Sequence, residues 1–471
     1  MSSAALLGQA AHAAHEVPAA TTWLFTGLLV ALVVCLALEE KLHAKKSLIV
    51  ACFAILALLL GTALHLLPFG PYRIGGHDVD LPVYVPAIDW GVITIILGSS
   101  LFIDVTSRSG LFTWIAVRLT KASGGDPRRL LWCYGLMTVL FSAVLNNVTA
   151  MILVGSLTGV SLDRLGRKDH LLGFLLVEGL LTNVGGLLTL ISSVPNIIVG
   201  TAAGISFLDF FVKAAPFVVA ATWGTILVGA RTFDVRPLAG DAERQEALAM
   251  VAAFDETDGI ESPGFFRLST ALLAAFILVI ATTSVLPWVS DLGMGFVAML
   301  FGTVALLRFK HEVDRFYQGV DWDLLAFFAG LFAFIHVLEQ ARVLAMIGHG
   351  IEAVIGLGET AGGAALLLSS AGFSSVTDNI PLSAMLARIL AGIPAAGGGV
   401  RGPDDPMWWS VVFGANLGGN LTPIGSASTL VAVTLIHRYR IPLGFGAFIR
   451  KALPFAGFQL ALAVVYVLLF L

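Results

Sequence analysis

Apolar side chains fill long, nearly unbroken stretches of this chain, and short polar clusters separate them. Thr22–Leu38, Ser47–Leu67, Ala214–Gly229, Leu268–Leu286 and Pro454–Leu471 each approach or reach the roughly 20 residues that carry a helix across a bilayer. Composition agrees: 57% of the 471 residues are hydrophobic and 12% charged, about half the charge of a soluble domain. The pattern predicts an all-α polytopic membrane protein. The first run does not read as a cleavable leader, because residues 1–21 hold no Lys or Arg and Glu39–Lys46 follow as a stop-transfer flank. His12, His15 and Glu16 are expected in a solvated or interfacial lead-in. Cys35, Cys52 and Cys133 lack metal-ligand spacing and read as small core residues.

The net charge of −4 says less than where the charges sit. Lys41–Lys46, Arg108–Arg129, Arg164–Lys168, Arg231–Arg267, Arg308–Arg315 and Arg438–Lys451 hold all the basic residues except Arg73, Lys213, Arg342, Arg388 and Arg401. Cytoplasmic loops collect Lys and Arg, so this asymmetry predicts an N-terminus outside. It also requires two segments that enter and leave by one face. Leu130–Val160 is expected as a re-entrant hairpin from the cytoplasm, and Gly362–Ala396 as its match from outside. About eleven transmembrane helices accompany the two hairpins.

The chain also repeats itself. Thr182–Asn196 and Ala415–Thr429 align without a gap, Asn183 falling on Asn416 at a shift of 233. Asp89-Trp90, Gly98 and Phe102-Ile103 recur as Asp321-Trp322, Gly330 and Phe334-Ile335 at a shift of 232, and Asn146-Asn147 recurs as Asp378-Asn379 at the same shift. The charge-derived topology places Asp89 outside and Asp321 inside, so the halves are inverted, an arrangement common in secondary transporters. The domains expected are tail and scaffold helices over 1–88, a first repeat over 89–230 and a polar cytoplasmic linker over 231–265. Second-half scaffold helices over 266–320 and a second repeat over 321–471 complete the chain. A short surface helix is expected around Gly240–Phe254.

Each half supplies one hairpin tip and one broken helix. Unpaired backbone in hydrocarbon is tolerated only where it is buried in protein or lines a wet cavity. Gly185, Gly186 and Pro195 break one helix; Gly418, Gly419, Pro423 and Gly425 break the other. Asn183, Thr189, Ser192, Ser193, Asn196, Asn416, Asn420, Thr422, Ser426, Ser428 and Thr429 supply neutral ligands there. At the tips, Asn146, Asn147 and Thr149 are expected to face Thr377, Asp378 and Asn379. Asn holds an ion of either sign, and a carboxylate at membrane depth, Asp378, marks a functional site because its burial must be offset by a cation, a proton or water. Glu178, one turn before the first break, is the second proton-coupling candidate, although its repeat counterpart is Val411. Asp104 and His336 are read as interfacial anchors, and Asp89-Trp90 and Asp321-Trp322 as helix starts.

These residues resemble a known family. Leu145–Met151, Glu178, Thr182–Gly186 and Val194–Val199, with Val376–Pro381, Gly414–Gly425 and Asp321–Gly330, look like the ion transporter superfamily. The branch with arsenite permeases, D-type sodium/proton antiporters and P protein, built on a citrate-transporter-like domain, fits best. The resemblance implies a scaffold, a transport subdomain that moves as an elevator, and a homodimer. The chain departs from the family pattern by carrying Asn146-Asn147 where a carboxylate often stands, and Ser192-Ser193 where Gly-Asp is common.

The function expected is secondary active exchange of an inorganic ion, sodium or an oxyanion such as arsenite, against protons. Rival readings are a sodium-coupled importer of an anion or dicarboxylate and a passive anion channel on the same fold. An intramembrane enzyme is disfavoured, since no metal-ligand cluster or nucleophile–base pair is legible. No cofactor beyond a bound sodium ion is expected. Lipid bilayer and a small ion are the expected partners, with no nucleic acid, and the bacterial inner membrane is the expected location.

Overall fold

The computed structural model describes residues 17–74, 77–395 and 398–471. His12, His15, Glu16 and Ala396, the far end expected of the second hairpin, lie outside the described residues. The first half contributes α1 (Ala19–Ala37), α2 (Lys46–Ala63) and a loop with two paired antiparallel strands, β1 (Tyr72–Ile74) and β2 (His77–Val79). It continues with α3 (Trp90–Ser107), α4 (Leu111–Ala122), α5 (Pro127–Val144), α6 (Asn147–Arg164), α7 (Leu171–Gly185), α8 (Val194–Ala203) and α9 (Phe207–Thr232). The linker holds α10 (Asp241–Ala252). The second half has α11 (Pro263–Ala281), α12 (Val289–Leu307), α13 (Trp322–Gln340), α14 (Val343–Ile355), α15 (Glu359–Ser374), α16 (Asn379–Gly392), α17 (Pro406–Gly418), α18 (Ala427–Arg438) and α19 (Phe445–Phe470).

Among the described residues, eight helices are long and apolar enough to cross a membrane: α1, α2, α3, α9, α11, α12, α13 and α19. The interrupted pairs α7–α8 and α17–α18 each add one crossing, giving ten where the sequence suggests about eleven. At 12 and 13 residues, α4 and α14 reach only about 18–20 Å, well short of a hydrocarbon core of about 30 Å. Between Asp89 and Asp321 lie five crossings, α3, α7–α8, α9, α11 and α12. With α5–α6 as the expected hairpin, this odd number agrees with the inversion that the charge pattern predicts.

The repeat survives to atomic detail. Asp89 accepts from the Val92 amide at 3.2 Å and Asp321 from the Leu324 amide at 2.9 Å, each capping its helix. Trp90 Nε1 donates to the Val85 carbonyl and Trp322 Nε1 to that of Tyr317, acceptors that are themselves 232 apart. Gly110 precedes α4 at φ 80°, and its counterpart Arg342 precedes α14 at φ 61°; the second half holds with a side chain a conformation that favours glycine.

Packing is reciprocal between the halves. Helix α3 lies along α12, and its counterpart α13 lies along α2; α6 packs on α18, and α16 on α8. The glycines shared by the repeat sit at these crossings. A Cβ on Gly98 would stand 2.4 Å from backbone atoms of Ala298 and Met299, whereas one on Gly330 would stand 3.1 Å from a Val50 methyl. In the linker, α10 is mostly solvent-exposed but buries Ala247 and Val251. Glu256 pairs with Arg118 at 2.7 Å and Lys121 at 3.3 Å, and Glu243 with Arg167, tying the linker to the basic face of the first half.

The two glycine crossings should respond differently to a methyl group. Gly98→Ala meets backbone that cannot rotate away and should lose about 1–3 kcal/mol by overpacking. Gly330→Ala meets one movable side chain and should lose less. Thermal unfolding of the two purified variants in detergent ranks them, and equal midpoints would contradict the crossing geometry.

Candidate functional site

Each hairpin is stapled to the broken helix of its own half. The turn between α5 and α6 ends at Asn146, whose Oδ1 accepts from the Thr149 amide at 2.8 Å; the turn between α15 and α16 ends at Asp378, whose Oδ1 accepts from the Ile380 amide at 3.1 Å. Ser142 donates to the Thr182 carbonyl at 2.7 Å and its counterpart Ser374 to that of Ala415 at 2.6 Å. Thr189 donates to the Ala143 carbonyl at 2.6 Å, and Thr422 to that of Ser375. Where the helices stop, side-chain hydroxyls thus bond nearby carbonyls and tie each hairpin turn to its interrupted helix.

The glycines at the breaks make this contact possible. A Cβ on Gly185 would lie 2.7 Å from the Val139 backbone, and one on Gly418 would lie 2.4 Å from the Ala371 carbonyl oxygen. One on Gly186 would meet the Asn147 amide at 2.7 Å, and one on Gly425 would lie 3.0 Å from the Gly419 Cα. None of these five has a positive φ. Gly185, Gly186 and Gly418 let the hairpin pack closely on the broken helix, and Gly419 and Gly425 let the second break fold tightly on itself.

Across the halves, two asparagines join the breaks. Asn183 donates to Asn420 Oδ1 at 2.8 Å and to Ser426 Oγ at 2.9 Å, and it accepts from Asn147 at 3.3 Å and Ser428 at 3.2 Å. All four of its amide hydrogen-bonding positions are used. Its counterpart Asn416 accepts from Ser193 at 2.6 Å and donates to Asn196 Oδ1 at 2.9 Å and to the Val412 carbonyl at 2.8 Å. The Asn183–Ser426 and Asn416–Ser193 bonds are equivalent under the repeat. Asn196 and Ser192 donate back to the Gly186 and Thr189 carbonyls, while Thr429 donates to that of Gly419 at 3.0 Å. Asn420 continues to Gln459 at 2.7 Å, which donates to Thr225 at 2.9 Å. Gln459 and Thr225 escaped the sequence reading; the available signal was a lone amide inside the apolar run Pro454–Leu471.

The accessible chemistry lies beside this network. A cavity of about 1290 Å³ opens between α1, α2, α13 and the second hairpin, and Thr377, Asp378, Asn379, Gly425 and Ser426 line it. Asn146, Asn147 and Thr149 are absent from its walls, so the structure brings the second tip and second break to one cavity without the first tip. Among the described residues the Asn379 side chain makes no hydrogen bond. Asp378 Oδ2 lies 2.7 Å from Lys46 Nζ, which is also 3.7 Å from Glu39. Lys46, read from sequence as part of a flanking cluster, is thus a site residue. Glu178 stands apart: fully buried, it accepts from Thr158 at 2.6 Å, while its Oε2 has no partner among the described residues. Asp104 pairs with Arg108 at 3.4 Å, and His336 is buried in α13; neither lines the cavity.

A citrate transporter family model matches residues 33–414. An uncharacterized transporter of Mycobacterium tuberculosis is 32% identical over 393 residues, 83% of this chain and 89% of the relative. Human P protein is 24% identical over 88% of this chain and 57% of its own length. Among solved structures, the YdaH transporter of Alcanivorax borkumensis aligns with a TM-score of 0.59 at 14% identity, covering 90% of this chain and 98% of that one. MtrF of Neisseria gonorrhoeae aligns at 0.57 and 14% identity, over 97% and 96%. At such identity these two likenesses speak for the fold alone.

Two expectations follow from the buried polar groups. Asn416→Ala strands Ser193 and Asn196 and should lower stability by about 1–3 kcal/mol, read as a lower thermal midpoint in detergent. Glu178→Gln keeps the oxygen that accepts from Thr158 and should leave the midpoint unchanged or raised. A clear fall for that variant would reveal that the carboxylate serves a charged partner.

Proposed function

This chain is a secondary transporter of the citrate transporter family, and we propose that it exchanges an inorganic ion against protons across the membrane, with sodium favoured over an oxyanion such as arsenite. The observation that carries this reading is the charge around the cavity. Glu39, Asp321, Asp323 and Asp378 line it against only Lys41 and Lys46, and a cleft with a surplus of one sign concentrates ions of the other. In this reading Asp378 is the coupling carboxylate, and Asn379 and Ser426 add neutral oxygens beside it. The second hairpin moves with both broken helices past the scaffold of α1–α3 and α11–α13, in the elevator motion that the resemblance implies. The homodimer, the bacterial inner membrane and the outside N-terminus belong to the same proposal. Bacterial relatives and basic loops gathered on the linker's face support the last two.

A second reading, sodium-coupled import of a small carboxylate, draws on the description of the family and on one feature of the site. The half-helices α8 and α18 begin at Ser193 and Ser426, and helix N-termini favour anions.

Reconstitution in liposomes with an internal pH dye separates these. Sodium should trigger proton movement in the wild type, and Asp378→Asn should abolish it. Response to a dicarboxylate only when sodium is present would favour the second reading. Uncoupled flux of sulfate or arsenite would identify a channel and overturn both.

A further inference from the structure

The Asp378 carboxylate does more than its local structure needs. Its counterpart Asn146 caps the first hairpin helix with the same kind of oxygen, so a neutral amide suffices for capping. The charge at Asp378 is therefore surplus to capping, and among the described residues the only basic side chain bonded to it is Lys46, at 2.7 Å. Lys46 begins α2 in the scaffold, whereas Asp378 begins α16 in the hairpin. Both side chains reach the cavity, with 36% of the lysine and 17% of the aspartate exposed, so a small ion arriving there meets the pair directly. At its far end α16 is tied to the scaffold again, Arg388 lying 3.7 Å from Glu339 of α13. Among the described residues the first hairpin has no such ion pairs to the scaffold: Asn146 and Ser156 stand where the second has Asp378 and Arg388.

We propose that Lys46 is a positioning residue of the transport cycle, an internal counter-cation that occupies Asp378 while no coupling ion is bound and clamps the second hairpin to the scaffold. A sodium ion or a proton reaching Asp378 displaces the ammonium, and the hairpin is released. The charge at the carboxylate is conserved in the exchange, one cation leaving as another arrives. The freed ammonium keeps Glu39 as partner, at 3.7 Å. The other charged groups facing the pair across the cavity are Lys41, Asp321 and Asp323, and Asp323 is held by Ser47. This inference rests on the coupling role proposed for Asp378 and adds a competitor for it.

The test needs no transported substrate. Spin labels at the exposed positions Leu42 and Leu368, in a background with the three cysteines replaced, report the distance between scaffold and hairpin in proteoliposomes. Sodium chloride and acid are titrated separately. The wild type should shift its distance distribution with a defined midpoint, and Lys46→Gln should reach that midpoint at about five-fold lower sodium, the scale of an ion pair partly open to water. Lys46→Arg, which keeps the charge, should stay near the wild-type midpoint and exclude a mere packing effect. If Asp378→Asn loses the response while Lys46→Gln keeps the wild-type midpoint, Lys46 is no competitor and this inference alone fails. If Asp378→Asn keeps the full response, or the wild type ignores both sodium and acid, the coupling role of Asp378 falls and this inference with it.

Discussion

A helix interrupted inside a membrane leaves amide and carbonyl groups where no water can reach them, at a cost of several kcal/mol each. This chain does so twice, between α7 and α8 and between α17 and α18, and much of the architecture around the site answers that cost. Hydroxyls from the hairpins take up carbonyls at the breaks. Asparagines then cross from one half to the other, Asn183 to Ser426 and Asn416 to Ser193. Backbone at each break is served largely from within its own half, and the cross-half asparagine bonds join the two breaks into a shared polar layer.

That solution decides which groups remain for chemistry. Asn183 and Asn416, prominent in the sequence, spend their hydrogen-bonding capacity on protein. They join the two breaks beside the cavity, and neither lines it. Polar groups that meet the cavity lie on the second hairpin, at the start of α18 and, facing them, on the scaffold at Glu39, Lys46, Asp321 and Asp323. The frame is two-fold and the chemistry is one-sided. Where the first half carries neutral Asn146, the second carries Asp378 and with it an ion pair to the scaffold. Apolar contacts between scaffold and hairpin have little directional preference, whereas a hydrogen-bonded ion pair holds one register. Charged ties confined to one hairpin can therefore bias a displacement that the surrounding packing would permit.

Much of this was legible in the residues. Long apolar runs pointed to crossings, because the bilayer's thickness sets a length that α1, α2 and α19 must meet. Basic clusters gave them an expected orientation, and the shift of 232 exposed a duplication that recurs in the structure, where Trp90 and Trp322 make the same bond at each copy. The same shift set Asn146-Asn147 against Asp378-Asn379, and in the structure both copies cap a helix at that point.

Chemistry that depends on distance in space was hidden. Gly185 and Gly418 look alike as backbone breakers or as packing residues, and only the positions of Val139 and Ala371 decide for packing. Lys46 reads as an ordinary flanking lysine, since its partner lies 332 residues away. Gln459 shows as an oddity but not as the end of a chain running through Asn420 to Asn183. Sequence by itself determined the crossings, their inversion and the polar breaks, because hydropathy, charge and duplication are properties of order along the chain. Tertiary structure alone decided which polar groups satisfy one another and which stay open to an ion, because hydrogen bonds and ion pairs act over about 3 Å and their partners come from opposite ends of the chain.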